Sequence, residues 1–129
     1  MTIGVWEPAG STEIDLAKLK EFIELAESAD LSKLKTTLPE AFISSNAGVM
    51  KRQSSDWQAL NELDNEELVL LARFFTLAEF QLPAWEGAKL SPVIYIVKVL
   101  KQRDSFDAEL RKWIKANTDN RYLPNGAIL

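Results

Sequence analysis

The chain has 129 residues, 47% hydrophobic and 26% charged, and carries a net charge of −4; this is enough to bury one core, so a single domain over residues 1–129 is expected. It contains no cysteine and no histidine. That excludes disulfide frameworks, thiolate nucleophiles, Ser-His-Asp and Cys-His catalysis and His/Cys zinc sites, and leaves an enzyme only a carboxylate, Lys or Tyr as its base.

The first ten residues read as loop, punctuated by Pro8 and Gly10. They carry no basic n-region or long apolar run, so a soluble cytoplasmic chain is expected, with no membrane span. Thr12 with Asp15 three residues on reads as a helix start resembling a capping box. Leu16, Leu19, Phe22, Ile23 and Ala26 then recur at helical spacing, while Lys20, Glu21, Glu24 and Glu27 take the solvated side. Asp30 can cap a short segment with Leu31 and Leu34, and Pro39 can open another with Ala41, Phe42 and Ile43. Residues 44–55 read as an exposed loop, after which Ser55 or Asp56 can begin a short helix through Trp57, Leu60 and Leu63.

Asp64 and Glu67 predict a capping box at the head of a helix over 65–82. Leu68, Val69, Leu70, Leu71, Phe74, Phe75, Leu77 and Phe80 occupy nearly every azimuth, which predicts a central, surrounded helix closed by Pro83. The acidic residues Glu62, Asp64, Glu66 and Glu67 suit the positive end of that helix and lack the spacing of a calcium loop; no metal or cofactor is expected. After the Trp85 loop, Ser91-Pro92 predicts an N-cap with proline at the first helical position. The β-branched run over 93–100 would also suit a buried strand, but the Ser-Pro start and the shared helical face of Lys98, Lys101 and Gln102 favour helix. Asp104 or Ser105 is expected to cap a last helix striped by Phe106, Leu110, Trp113 and Ile114.

These elements predict an all-α fold: a compact bundle of about five or six helices around the central hydrophobic helix, with the C-terminal segment packed back on the bundle. Asn117 to Leu129 breaks helix rules, yet retains Arg121, Tyr122, Leu123 and a closing Ala-Ile-Leu. A left-handed Asn117 or Asn120, with Asp119–Arg121 fixing the loop, would make it structural; the same groups can also form a binding surface. The candidate recognition residues are therefore Trp85, Glu86, Lys89, Asn117, Asp119, Arg121 and Tyr122. Trp6 and Trp85 lie in loops where an aromatic either lids the core or anchors a partner.

Charge supplies the alternative. Residues 1–82 hold seven Lys/Arg against fourteen Asp/Glu, whereas residues 83–129 hold eight against five. Two helices over 92–102 and 105–116, joined by about two residues, would form a helix–turn–helix whose Lys98, Arg111, Lys112 and Lys115 contact nucleic acid. Asp107 and Glu109 stand early on that second helix and oppose this reading. The expected function is a small intracellular, non-enzymatic protein-interaction or regulatory module acting on a protein partner or on itself as a homodimer. Nucleic-acid binding is the alternative, and an enzyme using Asp119 or Tyr122 stands third.

Overall fold

The computed structural model describes residues 14–52 and 54–124, apart from the side chains of Ser54 and Lys89. Thr12, Trp6 and the closing Ala-Ile-Leu lie outside the described residues. Among the described residues the fold is all-α, with six α-helices, four 3-10 segments and no strand.

Helix α1 spans Leu16–Ser28 and is capped by Asp15, whose carboxylate accepts the Lys18 N–H at 2.8 Å. Asp15 is thus the N-cap itself, and not the third residue of a box opened by Thr12. The helix buries Leu19, Phe22, Ile23 and Ala26 and leaves its acidic row in solvent. Asp30 caps a 3-10 turn, Leu31–Lys33, which runs into the one-turn helix α2, Leu34–Thr37. Gln81 holds this corner by accepting the Leu34 N–H and donating to the Leu31 carbonyl, both at 2.8 Å.

Helix α3, Glu40–Asn46, follows Pro39 and continues into a 3-10 segment, Ala47–Lys51. The expected loop over 44–55 is therefore largely helical. Its sequence looks polar, but Asn46, Val49 and Met50 turn inward, and the Asn46 amide donates to the Phe42 carbonyl at 3.0 Å. A third 3-10 segment, Ser54–Glu62, kinks at Trp57 and buries Trp57 and Leu60.

The capping box of α4, Asn65–Gln81, forms as its sequence predicts: Asp64 accepts from the Glu67 N–H while Glu67 accepts from the Asp64 N–H. α4 packs most extensively on α5, Pro92–Gln102, and then on α1. Phe22, Phe74 and Phe75 meet at ring separations of 5.2 to 6.0 Å, with Phe42, Trp57 and Trp85 around them. The helix is not surrounded everywhere, since Arg73 is exposed and Phe80 is 57% exposed.

Helix, not strand, is the outcome at 93–100, and Ser91 and Pro92 open it as expected. Val93, Ile96, Val97, Val99 and Leu100 are buried, so packing overrides the β preference of the run. α5 closes with a Schellman motif: Ser105 N–H donates to the Leu100 carbonyl and Asp104 N–H to that of Lys101, with Asp104 at φ 55°. The left-handed conformation expected at Asn117 or Asn120 does not form after the last helix, where Asn117 is the cap at φ −116° and Asn120 does not take a positive φ; Asp104 adopts it here, after α5. α6 runs Ala108–Ala116 and is capped by Asp107, two to three residues later than predicted, because the Schellman turn consumes Asp104 and Ser105.

Lys20 on α1 pairs with Glu67 on α4, tying the two helices. The Lys20 hydrogen bond, and then the Asp64 N–H, hold the Glu67 carboxyl below the ordinary glutamate value of 4.5, and Glu67 raises Lys20. A depressed carboxyl stabilises the fold above its unfolded pKa and ceases to do so as pH falls through its folded pKa. Denaturant midpoints are therefore expected to decline as pH falls below about 4.5, with part of that decline missing in Glu67→Gln; an identical acid profile in the variant would contradict this coupling.

Candidate functional site

The last turn of α4, the loop before α5 and the segment after α6 meet around one carboxylate. Glu79 is half-buried, and its Oε2 accepts the backbone N–H groups of Gly87 at 2.9 Å and Ala88 at 3.2 Å. The Asn120 amide donates to both Glu79 oxygens, at 3.2 and 3.1 Å, and to the Ala88 carbonyl at 2.9 Å. Asn120 is aimed by its own loop: its N–H donates to Thr118 Oγ1 at 3.0 Å, and its Oδ1 accepts the Tyr122 N–H at 2.9 Å. Ala88, held at both its N–H and its carbonyl, adopts φ 49°. That left-handed conformation costs an alanine roughly 1–2 kcal/mol, so its neighbours must over-determine it.

Gly87 has to be glycine for a different reason. A Cβ there would stand 2.6 Å from the Met50 carbonyl oxygen and 2.8 Å from Ser91 Cα, so the loop lies directly on the backbone below it. The result is a cleft of about 440 Å³. Glu79 and Phe80 form one wall, Glu86 and Ala88 a second, and Thr118 to Tyr122 the third. Glu86, Asp119 and Arg121 are exposed, Tyr122 is half-buried, and Leu123 and Pro124 are buried beneath the segment.

The predicted surface is thus assembled in part. Glu86, Asp119, Arg121 and Tyr122 line one cleft although 33 to 36 residues separate Glu86 from the other three. Trp85 does not join them. It is fully buried, with its indole N–H donating to the Ile43 carbonyl at 2.9 Å and its ring near Phe42 and Phe74, so it lids the core and offers no surface to a partner. Asn117 is also apart from the cleft: its amide donates to the Trp113 carbonyl at 2.8 Å and closes α6. The Lys89 side chain lies outside the described residues. Asn120, not an Asp119–Arg121 pair, fixes the loop.

Sequence reasoning passed over Glu79, Phe80 and Thr118 as cleft residues, and marked Asn120 only as one of the polar groups after the last helix, not as the residue that engages Glu79. Glu79 and Phe80 are embedded in an apolar helix, where the pattern signals only core. The Thr118–Asn120–Tyr122 spacing of a hydroxyl and an Asx turn was the available signal for Asn120.

The alternative cationic set is divided between α5, which carries Lys98, and α6, which carries Arg111, Lys112 and Lys115. The connection between α5 and α6 spans residues 103–107, longer than the expected two-residue turn. Arg103 is engaged structurally, donating to the carbonyls of Leu63 and Asn61 at 2.8 Å each and to Asn65 Oδ1 at 3.1 Å. Lys98 lines a groove between α5 and the 54–62 segment, beside Tyr95 and Gln102. Arg111, Lys112 and Lys115 are exposed on α6, which packs on α4. Trp113, expected in the core, is half-buried under the Arg73 guanidinium, 5.4 Å from its ring centroid.

Among the described residues no group of three or more carboxylates could hold a metal ion, and no helix is long and apolar enough to cross a membrane. Comparison with protein-family models, curated proteins and solved structures finds none that matches this chain.

Proposed function

We propose that this domain is a non-enzymatic protein-interaction module and that its recognition surface is the cleft between the end of α4, the 84–90 loop and residues 118–122. The observation that carries this reading is Phe80. It is the exposed large apolar side chain among the described residues, 57% accessible, and it stands on the wall of the cleft. An apolar anchor beside ordered polar groups is the composition of an interaction hot spot. The cleft is also pre-organised: Ala88 and Asn120 are fixed by hydrogen bonds before any partner arrives, which lowers the ordering cost of association.

The same hydrogen bonds speak against catalysis at this place. Both Glu79 oxygens are occupied by amide donors, so the half-buried carboxylate serves the architecture and is not an unengaged base.

Affinity capture of the tagged protein, with Phe80→Asp and Arg121→Glu variants alongside, tests the assignment. A protein partner that survives nuclease treatment should be lost from Phe80→Asp by more than about tenfold, the scale of a hot-spot residue. Both variants should unfold within about 0.5 kcal/mol of the parent, as surface changes do. Retention of the partner at parental levels by both variants would place recognition elsewhere. Capture dependent on intact nucleic acid, and reduced by neutralising Arg111, Lys112 and Lys115, would replace the proposal with the nucleic-acid reading.

A further inference from the structure

We infer that the occupant of this cleft is a peptide segment carrying an arginine or lysine next to an apolar side chain. The inference rests on the interaction reading above and adds the chemistry of the partner. Among the described side chains, three carboxylates line the cleft, those of Glu79, Glu86 and Asp119, against the one guanidinium of Arg121. The hydrogen-bond donors that engage Glu79 are neutral amides, so they orient its charge without cancelling it. Glu86 and Asp119 are exposed and come from separate segments, the loop before α5 and the segment after α6. Low-dielectric walls concentrate such a field inside a concave site and favour a cation there.

The aromatic residues complete the match. Phe80 offers apolar area to an aliphatic side chain, and Tyr122 supplies a second ring at the lining. Arginine and lysine combine a methylene stem that covers apolar surface with a cationic head that carboxylates and ring faces attract. An acidic segment would meet like charge at Glu86 and Asp119 and, among the described side chains that line the cleft, would find Arg121 to pair with.

The test uses the full chain and two capped peptides, leucine–arginine–leucine and leucine–glutamate–leucine, titrated to millimolar concentration while backbone amide resonances are followed. The arginine peptide should shift Ala88, Asn120 and Tyr122 saturably, and the glutamate peptide should not. Raising the salt should weaken the arginine peptide, because exposed charges are screened. The Glu86→Gln/Asp119→Asn double variant should weaken it by about tenfold, the scale of two exposed and partly screened ion pairs.

Equal shifts from both peptides would overturn the cationic preference while leaving the cleft as an apolar docking site. Silence from both, with Phe80→Asp still abolishing partner capture, would also overturn it and keep the interaction reading. Silence from both, with capture indifferent to Phe80→Asp, would remove the inference and the reading beneath it.

Discussion

Trp85→Ala is expected to lower the unfolding free energy by about 3–5 kcal/mol, the range for truncating a fully buried tryptophan. The side chain has no exposed surface and bridges two elements: its ring lies 6.2 Å from that of Phe42 and 6.3 Å from that of Phe74. Truncation leaves a cavity between α3 and α4 and also strips the Ile43 carbonyl of its donor at 2.9 Å. The loss of that hydrogen bond adds to the cost of the cavity. Urea denaturation of parent and variant measures the difference, and an unchanged slope would assign it to stability. A midpoint equal to that of the parent would mean that the ring is not part of the core. Loss of a partner in Trp85→Ala would follow from a destabilised fold, so Phe80, Glu86, Asp119 and Arg121 are the informative positions for binding.

Gly87→Ala should destabilise by about 2–3 kcal/mol, at the upper end of ordinary overpacking. Two terms oppose each other here. Gly87 lies at φ −106° and ψ −25°, a conformation alanine adopts freely, so reduced entropy of the unfolded chain would favour the variant by roughly 0.4–1 kcal/mol. Against that, the new methyl would fall 2.6 Å from the Met50 carbonyl oxygen and 2.8 Å from Ser91 Cα. Both are backbone atoms. Neither can rotate away as the end of a flexible side chain would, so the loop must lift, and the steric term exceeds the entropic one. Lifting the loop withdraws the Gly87 and Ala88 N–H groups from Glu79 and the Ala88 carbonyl from Asn120. Calorimetric melting together with the Asn120 side-chain amide resonances would report both effects. A variant at least as stable as the parent, with those resonances unmoved, would show that the loop has slack.

How far the chain could be read without its structure differs from element to element. α1 and α4 were legible because their apolar periods are local, and at α4 the cap is too, Asp64 acting on an N–H three residues away; the start of α1 was placed at Thr12, three residues before its cap, Asp15. α5 was legible despite its β-branched run, since Ser91 and Pro92 mark its start. The start of α6 was misplaced by the Schellman turn at Asp104, where a non-glycine residue takes the left-handed conformation that its type permits but does not announce. Residues 44–55 were misread as loop because their polar composition masks the buried positions Asn46, Val49 and Met50.

The cleft divides in the same way. Glu86, Asp119, Arg121 and Tyr122 stood out as polar and aromatic residues in turn-rich segments, and their loop context was enough to mark them. Phe80 could not be separated from the core phenylalanines, because a helix apolar on every side does not show which azimuth its neighbours leave uncovered. Trp85 carried the reverse ambiguity, being an aromatic in a loop that the packing of Phe42 and Phe74 draws inward.

By itself, then, the sequence determined the all-α class, the capped starts of α4 and α5, the central position of α4 and the absence of histidine and cysteine chemistry. All of these follow from composition or from interactions within a few residues. Only the tertiary structure decided that Glu79 would join residues 87, 88 and 120, that Trp85 would face inward and that Phe80 would face out. Those outcomes depend on contacts between segments up to about forty residues apart in the chain, whose free energies come from shared burial and mutual hydrogen bonding and leave no periodic trace in either segment alone.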